Sequence, residues 1–317
     1  MILEKARAAR TNFYDHGFKT PLIASKSMGS VLACDLWFKA EHFQRTGSFK
    51  FRGAYNKLSS ATGKASFVTA SSGNHGIACA TAAKLLQREL IVFLPENVSP
   101  TKRSRIEQLG VAVKIAGTES GETERIAMDY AVEQQNTQYI SPYNDADIIA
   151  GQAIVGLELL EQLPRVDNVF VALGGGGLVS GIGSVIKAIR PEARIIGVSA
   201  ENSAELDACW RAGYHVATEH KDTWADGVAG GVDPQSITIE IASDVIDDCI
   251  VCNENEIADQ IKNLAFEETM LVEGSAALAL AGLVQQRERF AHKSNIVVLC
   301  GGNFDTSKIA PLLSMER

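Results

Sequence analysis

Apolar residues in this chain fall into compact runs separated by stretches with helical spacing, and from residue 66 onward the two kinds alternate. Phe67-Val68-Thr69-Ala70, Leu90-Ile91-Val92-Phe93-Leu94 and Val111-Ala112-Val113-Lys114-Ile115 have the length and composition of buried strands. Helices are predicted between and after them, from about Ile77 to Leu86 and from Glu122 to Gln134. Ser99-Pro100 supplies a capped start for another, with Gly110 as its stop. A second alternating block begins with a helix over Ile148 to Leu163. Val169 to Leu173 then reads as a strand, Leu178 to Ile189 as a helix halted by Pro191, Arg194 to Ser199 as a strand and Ala204 to Ala212 as a helix. The run Val245 to Val251 alternates like a strand, and Ile257 to Leu271 is spaced like a helix. Glu273 to Leu283 is an alanine-rich helix, and Asn295 to Cys300 a last buried strand. Ahead of both blocks, residues 1–20 predict a helix and a loop closed by Pro21. Val31 to Lys39 predicts a strand, and Arg52 to Leu58 a helix.

Strands spaced by helices of about ten residues imply parallel sheets with right-handed crossovers. The pattern predicts an α/β fold of two interleaved doubly wound domains. The smaller, residues 67–145, is inserted in a larger one made of 1–66 and 146–317, and their cleft is the expected ligand site. The bulk numbers narrow the class further. The chain has 317 residues, 46% hydrophobic and 21% charged, as in ordinary globular proteins. A net charge of −8 argues against a nucleic-acid partner, which wants clustered Lys and Arg. No stretch approaches the roughly 18 uninterrupted apolar residues of a membrane span, and Met1 to Arg7 lacks a signal-peptide core, so a cytoplasmic location is expected. The six cysteines are scattered in mostly apolar surroundings, the mark of buried thiols in a reducing compartment. Cys249-Ile-Val-Cys252 has CxxC spacing but lies in an alternating run without a second pair, which favours a strand over a zinc site. His215 and His220 receive no role.

Three stretches carry candidate chemistry. In Thr46-Gly47-Ser48-Phe49-Lys50-Phe51-Arg52-Gly53-Ala54, one lysine sits beside apolar groups at a strand-to-helix junction. Lost solvation there lowers an amine's pKa and frees it as a nucleophile, although a surface lysine at a helix start reads the same way. Gly174-Gly175-Gly176-Gly177-Leu178 joins a strand to a helix, so backbone N–H groups and the helix N-terminus form a phosphate cradle. It is not a P-loop; a dinucleotide fold stays open, because Glu201 lies near the acidic position. Ser71-Ser72-Gly73-Asn74-His75-Gly76 opens a helix with groups suited to a carboxylate or a phenolic oxygen, or simply caps it. Cys300-Gly301-Gly302-Asn303 places a small polar atom at a strand end. A nucleophilic lysine, a phosphate cradle and an anion-binding turn together point to pyridoxal phosphate.

With SFKFRGA, SSGNHG, GGGGL and CGGN in this order, nearly the whole chain resembles the fold type II pyridoxal-phosphate enzymes, with their tryptophan synthase β-like fold. Within them it is similar to the serine/threonine dehydratases (threonine ammonia-lyases) and serine racemases. The resemblance implies that Lys50 is the Schiff-base lysine, with Phe49 beside the ring. Asn74 would bond the phenolic oxygen, Gly174, Gly175, Gly176, Gly177 and Leu178 would hold the phosphate, and Cys300 would face the ring nitrogen. A neutral thiol there suits rapid β-elimination over a long-lived carbanion. The substrate carboxylate would bind Ser71, Ser72, Gly73, Asn74 and His75, with Lys50 removing the α-proton of an L-threonine or L-serine type substrate and releasing a 2-oxo acid and ammonia. Ser72 matches the residue that serine racemases use as acid/base on the opposite face, so serine or aspartate racemisation is the alternative, as is dehydration of 3-hydroxyaspartate. Tyr143, in the loop that lines the substrate cleft, stands where animal-type serine racemases have asparagine, and an aromatic there resembles the dehydratases. Little chain follows Asn303, so the short form without a regulatory domain is expected. Glu201, Glu205 and Asp207 match the family's divalent-cation site, where two carboxylates and the Glu205 carbonyl would suit Mg²⁺ or Ca²⁺. A homodimer is the family expectation.

Overall fold

The structure, a computed structural model, describes residues 1–314. It opens with α1 (Ile2–Phe13), β1 (Leu22–Ala24), a short α2 (Met28–Val31), β2 (Asp35–Ala40) and α3 (Lys50–Ser60). The smaller sheet follows as β3 (Ser66–Ala70), α4 (Asn74–Leu86), β4 (Leu90–Leu94), α5 (Pro100–Glu107), β5 (Ala112–Ile115), α6 (Ser120–Glu133) and β6 (Thr137–Tyr139). The chain then runs through α7 (Ala146–Gln152), α8 (Ile154–Gln162), β7 (Asn168–Ala172), α9 (Gly177–Ile189), β8 (Arg194–Ala200) and α10 (Glu205–Ala212). It ends with α11 (Ile237–Val245), β9 (Asp248–Cys252), α12 (Glu254–Phe266), α13 (Gly274–Gln285), α14 (Arg287–Phe290), β10 (Ser294–Leu299) and α15 (Thr306–Ser314).

Two sheets result. The larger has the order β1-β2-β10-β7-β8-β9, parallel except where β1 meets β2. The smaller is all parallel, β5-β4-β3-β6. Their strands are apolar runs because helices cover both faces; every residue of β7 and β10 is buried. Local chemistry fixes the helix starts. The Ser99 hydroxyl accepts from the Lys102 amide ahead of Pro100, and the Asp145 carboxylate accepts from the Asp147 and Ile148 amides. Asn253 and Glu256 close a reciprocal capping box on α12.

The core of the smaller sheet is completed from outside its own stretch of sequence. Phe51, Ala54, Tyr55 and Leu58 form one face of α3 and join Phe13, Ile148 and Ile154 against Phe67, Val92 and the α4 alanines. Helices α3 and α7 meet backbone to backbone. A Cβ on Gly151 would lie 2.5 Å from the Arg52 carbonyl oxygen and 2.6 Å from the Gly53 Cα.

Beneath α3 lies a fully buried charge network. Arg52 donates to both Glu41 oxygens at 2.7 and 2.9 Å and to both Glu158 oxygens at 2.7 and 2.9 Å. Lys39 donates to Glu158 at 2.5 Å and to the Thr20 carbonyl at 2.8 Å. All four charged side chains are at 0% exposure. Burial alone would raise the Glu41 pKa, but Arg52 overcomes it and holds the carboxyl below its usual range.

The structure departs from the sequence pattern in several places. Val31 ends a short helix rather than opening a strand. The chain turns through Ala33 at φ 50° before β2 begins at Asp35. The helix expected over 148–163 is two segments meeting at Ala153. The helix expected to reach Leu271 stops at Phe266, and Thr269 takes a positive φ of 58°. Val245 belongs to α11, which the alternating run concealed. Strand β6 is three residues long, too short to show a period. Cys249 and Cys252 lie in β9 as buried free thiols. No helix among the described residues is long and apolar enough to cross a membrane.

Replacing Arg52 by methionine leaves the buried Glu41 without its ion-pair partner and Glu158 with Lys39 alone. It is expected to lower unfolding stability by about 3–5 kcal/mol. Urea unfolding followed by circular dichroism measures this, and an unshifted midpoint contradicts a stabilising role for the network.

Candidate active site

The lysine is placed by distant pairing. Gly47, at φ +76°, turns the chain so that Ser48 bridges Gly301, and the Phe49 amide donates to the Cys300 carbonyl at 3.0 Å. Lys50, the first residue of α3, is thereby held against the end of β10. Its Nζ donates to the Pro142 carbonyl at 2.9 Å and lies 5.2 Å from the Phe49 ring centroid. Burial lowers its pKa to about 8, with no carboxylate close enough for an ion pair to restore it.

Loops leaving the carboxyl ends of β7, β10 and β6 meet around this amine. Phe49, Lys50, Tyr143, Gly174, Gly175, Gly176, Gly177, Leu178, Gly227, Val228 and Cys300 line one cleft. The glycine loop runs from Leu173 into α9, and the Thr238 hydroxyl pins it by donating to the Gly175 carbonyl at 2.7 Å. Gly176 has φ +86°, a left-handed conformation open to glycine. A Cβ on Gly175 would come within 2.2 Å of the Tyr143 ring, and one on Gly174 within 2.9 Å of the Val228 carbonyl. The Tyr143 ring therefore covers the loop, and its hydroxyl accepts from the Asp233 amide at 2.9 Å.

On the other sheet, Ser71, Ser72 and Gly73 lead from β3 into α4. The Gly73 amide donates to the Ser71 hydroxyl at 3.2 Å, while the Ser72 hydroxyl makes no hydrogen bond to the described residues. His75 is turned away from the cleft, its Nε2 3.1 Å from the Ile140 carbonyl and 3.5 Å from the Cys79 sulfur. Burial, with Lys50 nearby, pushes its pKa down to about 3, so the ring is neutral and its backbone is what faces the turn. Cys300 is 2% exposed, and burial raises its thiol well above the usual range. It is a neutral S–H beside the lysine.

Asn74 is held by residues that the sequence pattern did not single out for the site. Its Nδ2 donates to both oxygens of Glu273 at 2.9 and 3.0 Å, and its Oδ1 accepts from Asn303 Nδ2 at 2.8 Å. The Asn303 amide also donates to Glu273 at 3.0 Å, and Arg105 donates to Asn303 Oδ1 at 2.6 Å. Glu273 precedes α13 without capping it; its carboxyl points into the site, where burial lifts its pKa to about 7. An acid between the apolar Val272 and the alanines of α13 is the signal that was available in the sequence.

The acidic stretch after β8 is organised differently. Glu201 is exposed, and both Asp207 oxygens are taken by Arg211 at 2.8 and 2.9 Å. The Glu205 carboxylate accepts from the Val232 and Thr218 amides at 2.8 and 3.2 Å and faces His215 and His220 at 3.2 and 3.0 Å. No group of three or more His, Cys, Asp or Glu suited to a metal ion occurs among the described residues.

The cleft fits pyridoxal phosphate on its own geometry. A Cβ-free loop at the start of a 13-residue helix suits the phosphate, and a desolvated amine suits the aldehyde carbon. Known proteins give the same answer. Over 99% of its length the chain is 34% identical to an L-threonine ammonia-lyase of Thermotoga maritima, covering 78% of that protein. Its fold superposes on a processed threonine deaminase isoform of Solanum lycopersicum with a TM-score of 0.92 at 29% identity, covering 98% of this chain and 86% of that one. Maize serine racemase matches with a TM-score of 0.90 at 30% identity, covering 98% and 95%. The model of the family described as "Pyridoxal-phosphate dependent enzyme" matches residues 14–302, and this chain, with its desolvated lysine facing a glycine cradle, belongs to that family.

Proposed function

We propose that this protein is an ammonia-lyase that eliminates water from a 3-hydroxy amino acid of the L-threonine or L-serine type. The observation that carries the reading is the meeting of Lys50 and the glycine loop in one cleft. It is supported by the 34% identity to an L-threonine ammonia-lyase over almost the whole chain.

When bound, pyridoxal phosphate supplies an electron sink for the charge left at the substrate α-carbon. The chain's own groups do the rest. Gly174 to Leu178 hold the phosphate through backbone amides and the α9 N-terminus. Asn74, fixed at both ends by Glu273 and Asn303, is the residue that would bond the ring's phenolic oxygen. The amides at the start of α4 bind the substrate carboxylate. Lys50 is the residue that would hold the cofactor, and its free amine would take the α-proton. The Cα–H and Cβ–O bonds would break and Cα=Cβ form, with the proton taken from Cα balancing the departing hydroxyl, which leaves as water. Hydrolysis of the resulting enamine gives the 2-oxo acid and ammonia. Cys300, a neutral thiol, would leave no fixed charge where it faces the ring nitrogen.

A second reading, racemisation, rests on Ser72, in the turn that leads into α4, whose hydroxyl makes no hydrogen bond to the described residues. Pairing into a homodimer is the further expectation. Phe18, Phe43 and Leu271 are 48%, 53% and 54% exposed.

Lys50→Ala is expected to abolish both the visible absorbance of the bound cofactor and ammonia release from L-serine and L-threonine. Colourless wild-type protein sinks the assignment. Ser72→Ala is expected to keep L-serine elimination within about threefold while ending any turnover of D-serine; chiral chromatography showing D-serine formed by wild type favours the racemase instead. Because the free amine is the nucleophile, and the Lys50 cation loses its proton as pH climbs through about 8, cofactor uptake by the apoprotein should speed up across that pH and then level off. A stopped-flow rate that stays flat through it contradicts the assignment.

A further inference from the structure

An arginine at the surface is joined to Asn74 by an unbroken run of hydrogen bonds. Arg105 is exposed on α5, and its Nη2 donates to Asn303 Oδ1 at 2.6 Å. Asn303 Nδ2 donates to the Thr46 carbonyl at 2.7 Å and to Asn74 Oδ1 at 2.8 Å. Asn74 Nδ2 then donates to the Glu273 carboxyl at 2.9 and 3.0 Å. The run passes along the lysine segment and ends beside the cleft. A Cβ on Gly47 would lie 2.8 Å from Asn303 Oδ1, and the Gly302 amide donates to the Gly47 carbonyl at 2.8 Å. A Cβ on Gly227, which lines the cleft, would lie 3.0 Å from Glu273 Oε1, and one on Gly301, next to Cys300, 2.7 Å from it.

The groups that fix this run can act in one sense only. A guanidinium has N–H groups and no acceptor, and a backbone carbonyl has no hydrogen to give. Arg105 therefore claims the Asn303 oxygen, the Thr46 carbonyl claims its nitrogen, and that nitrogen in turn takes the Asn74 oxygen. What Asn74 has left to offer is N–H. Reversing its amide would set oxygen against the Glu273 oxygens and nitrogen against the Asn303 nitrogen, so that the hydrogen bonds on both sides are lost. The direction does not depend on the charge of Glu273. A protonated carboxyl keeps one accepting oxygen, and the arginine end is unchanged.

We propose that Arg105 is a positioning residue for the cofactor: acting through Asn303, it makes the Asn74 amide offer an N–H, and not its oxygen, to the phenolic oxygen of pyridoxal phosphate. This rests on the reading of Asn74 as the residue that bonds that oxygen. An N–H there favours the tautomer of the lysine-bound cofactor that has its proton on the Schiff-base nitrogen and a negative charge on the oxygen. A facing amide oxygen favours the neutral tautomer, with the same proton on the phenolic oxygen. The first absorbs in the visible and the second in the near ultraviolet, so the direction of the amide can be read from the spectrum.

The test compares the ratio of visible to near-ultraviolet absorbance in holoenzyme saturated with pyridoxal phosphate. Arg105→Glu puts an acceptor where the donor stood, at an exposed position that leaves the core alone. It should lower the ratio by about three- to tenfold, the worth of one hydrogen bond. Arg103→Glu makes the same charge change on the same helix, at a side chain that donates to Glu107, and should leave the ratio unchanged. Asn303→Asp keeps the shape of asparagine but has no N–H for Asn74. It should lower the ratio further than Asn303→Ser, which removes the amide and lets Glu273 hold Asn74 as before; a merely structural role for Asn303 predicts the reverse order. A ratio in Arg105→Glu equal to that of wild type overturns the proposal, and so do equal falls in Arg105→Glu and Arg103→Glu. Asn74→Ala separates the two readings. A ratio that it leaves unchanged removes Asn74 from the phenolic oxygen, and the proposal with it; a ratio that falls with Asn74→Ala but not with Arg105→Glu overturns the role of Arg105 alone.

Discussion

Arg52 is the point on which the architecture turns. It lies two residues beyond the lysine, on a helix whose apolar face belongs to the core of the smaller sheet, yet its guanidinium is bound by Glu41 after β2 and Glu158 on α8. Helix α3 is thus fastened to one core by hydrophobic packing and to the rest of the chain by buried ion pairs. Two cations and two anions at zero exposure are expensive to desolvate, and each tolerates burial only because its hydrogen bonds are met by the others. Such a network is poor as a source of stability but strict about geometry. Together with the Gly53–Gly151 backbone contact, it leaves α3 little freedom, and so it fixes where the lysine emerges.

Within the cleft, burial acts on each titratable group in the direction that removes its charge. The lysine is pushed toward the free amine, the cysteine toward the thiol and the histidine toward neutral imidazole. Glu273 is pushed the same way, and the two donors it receives from Asn74 and one from Asn303 only partly offset that. The protein offers little fixed charge around the ring position, so the polarity of the site is set by what binds there.

Much of this was readable from the chain. The glycine loop, the SSGNHG turn and the lysine each announce themselves locally, through residue types with a strong conformational or chemical reason to be adjacent. The strand–helix alternation likewise follows from short apolar runs. What failed to show was non-local or too short. Asn74 and Glu273 are 199 positions apart, and nothing in either neighbourhood states that they meet. His75 sits inside a legible motif, but the motif does not say that its ring turns to Ile140. The stretch around Val31 is apolar enough for a strand, and only the positive φ at Ala33 reveals a helix turn there. The acids near Glu201 have the composition of a cation site, whereas Arg211 claims both oxygens of Asp207.

The place of β10 bears on how the molecule comes into being. This last strand lies between β2 and β7, and its end supplies both partners of the lysine segment, Cys300 and Gly301. A nascent chain that has not yet released residues 294–299 from the ribosome leaves the facing edges of β2 and β7 unpaired and the lysine segment without its anchor. Assembly of the larger sheet is therefore deferred until residues 294–299 have emerged, and the lysine segment has no anchor before that moment.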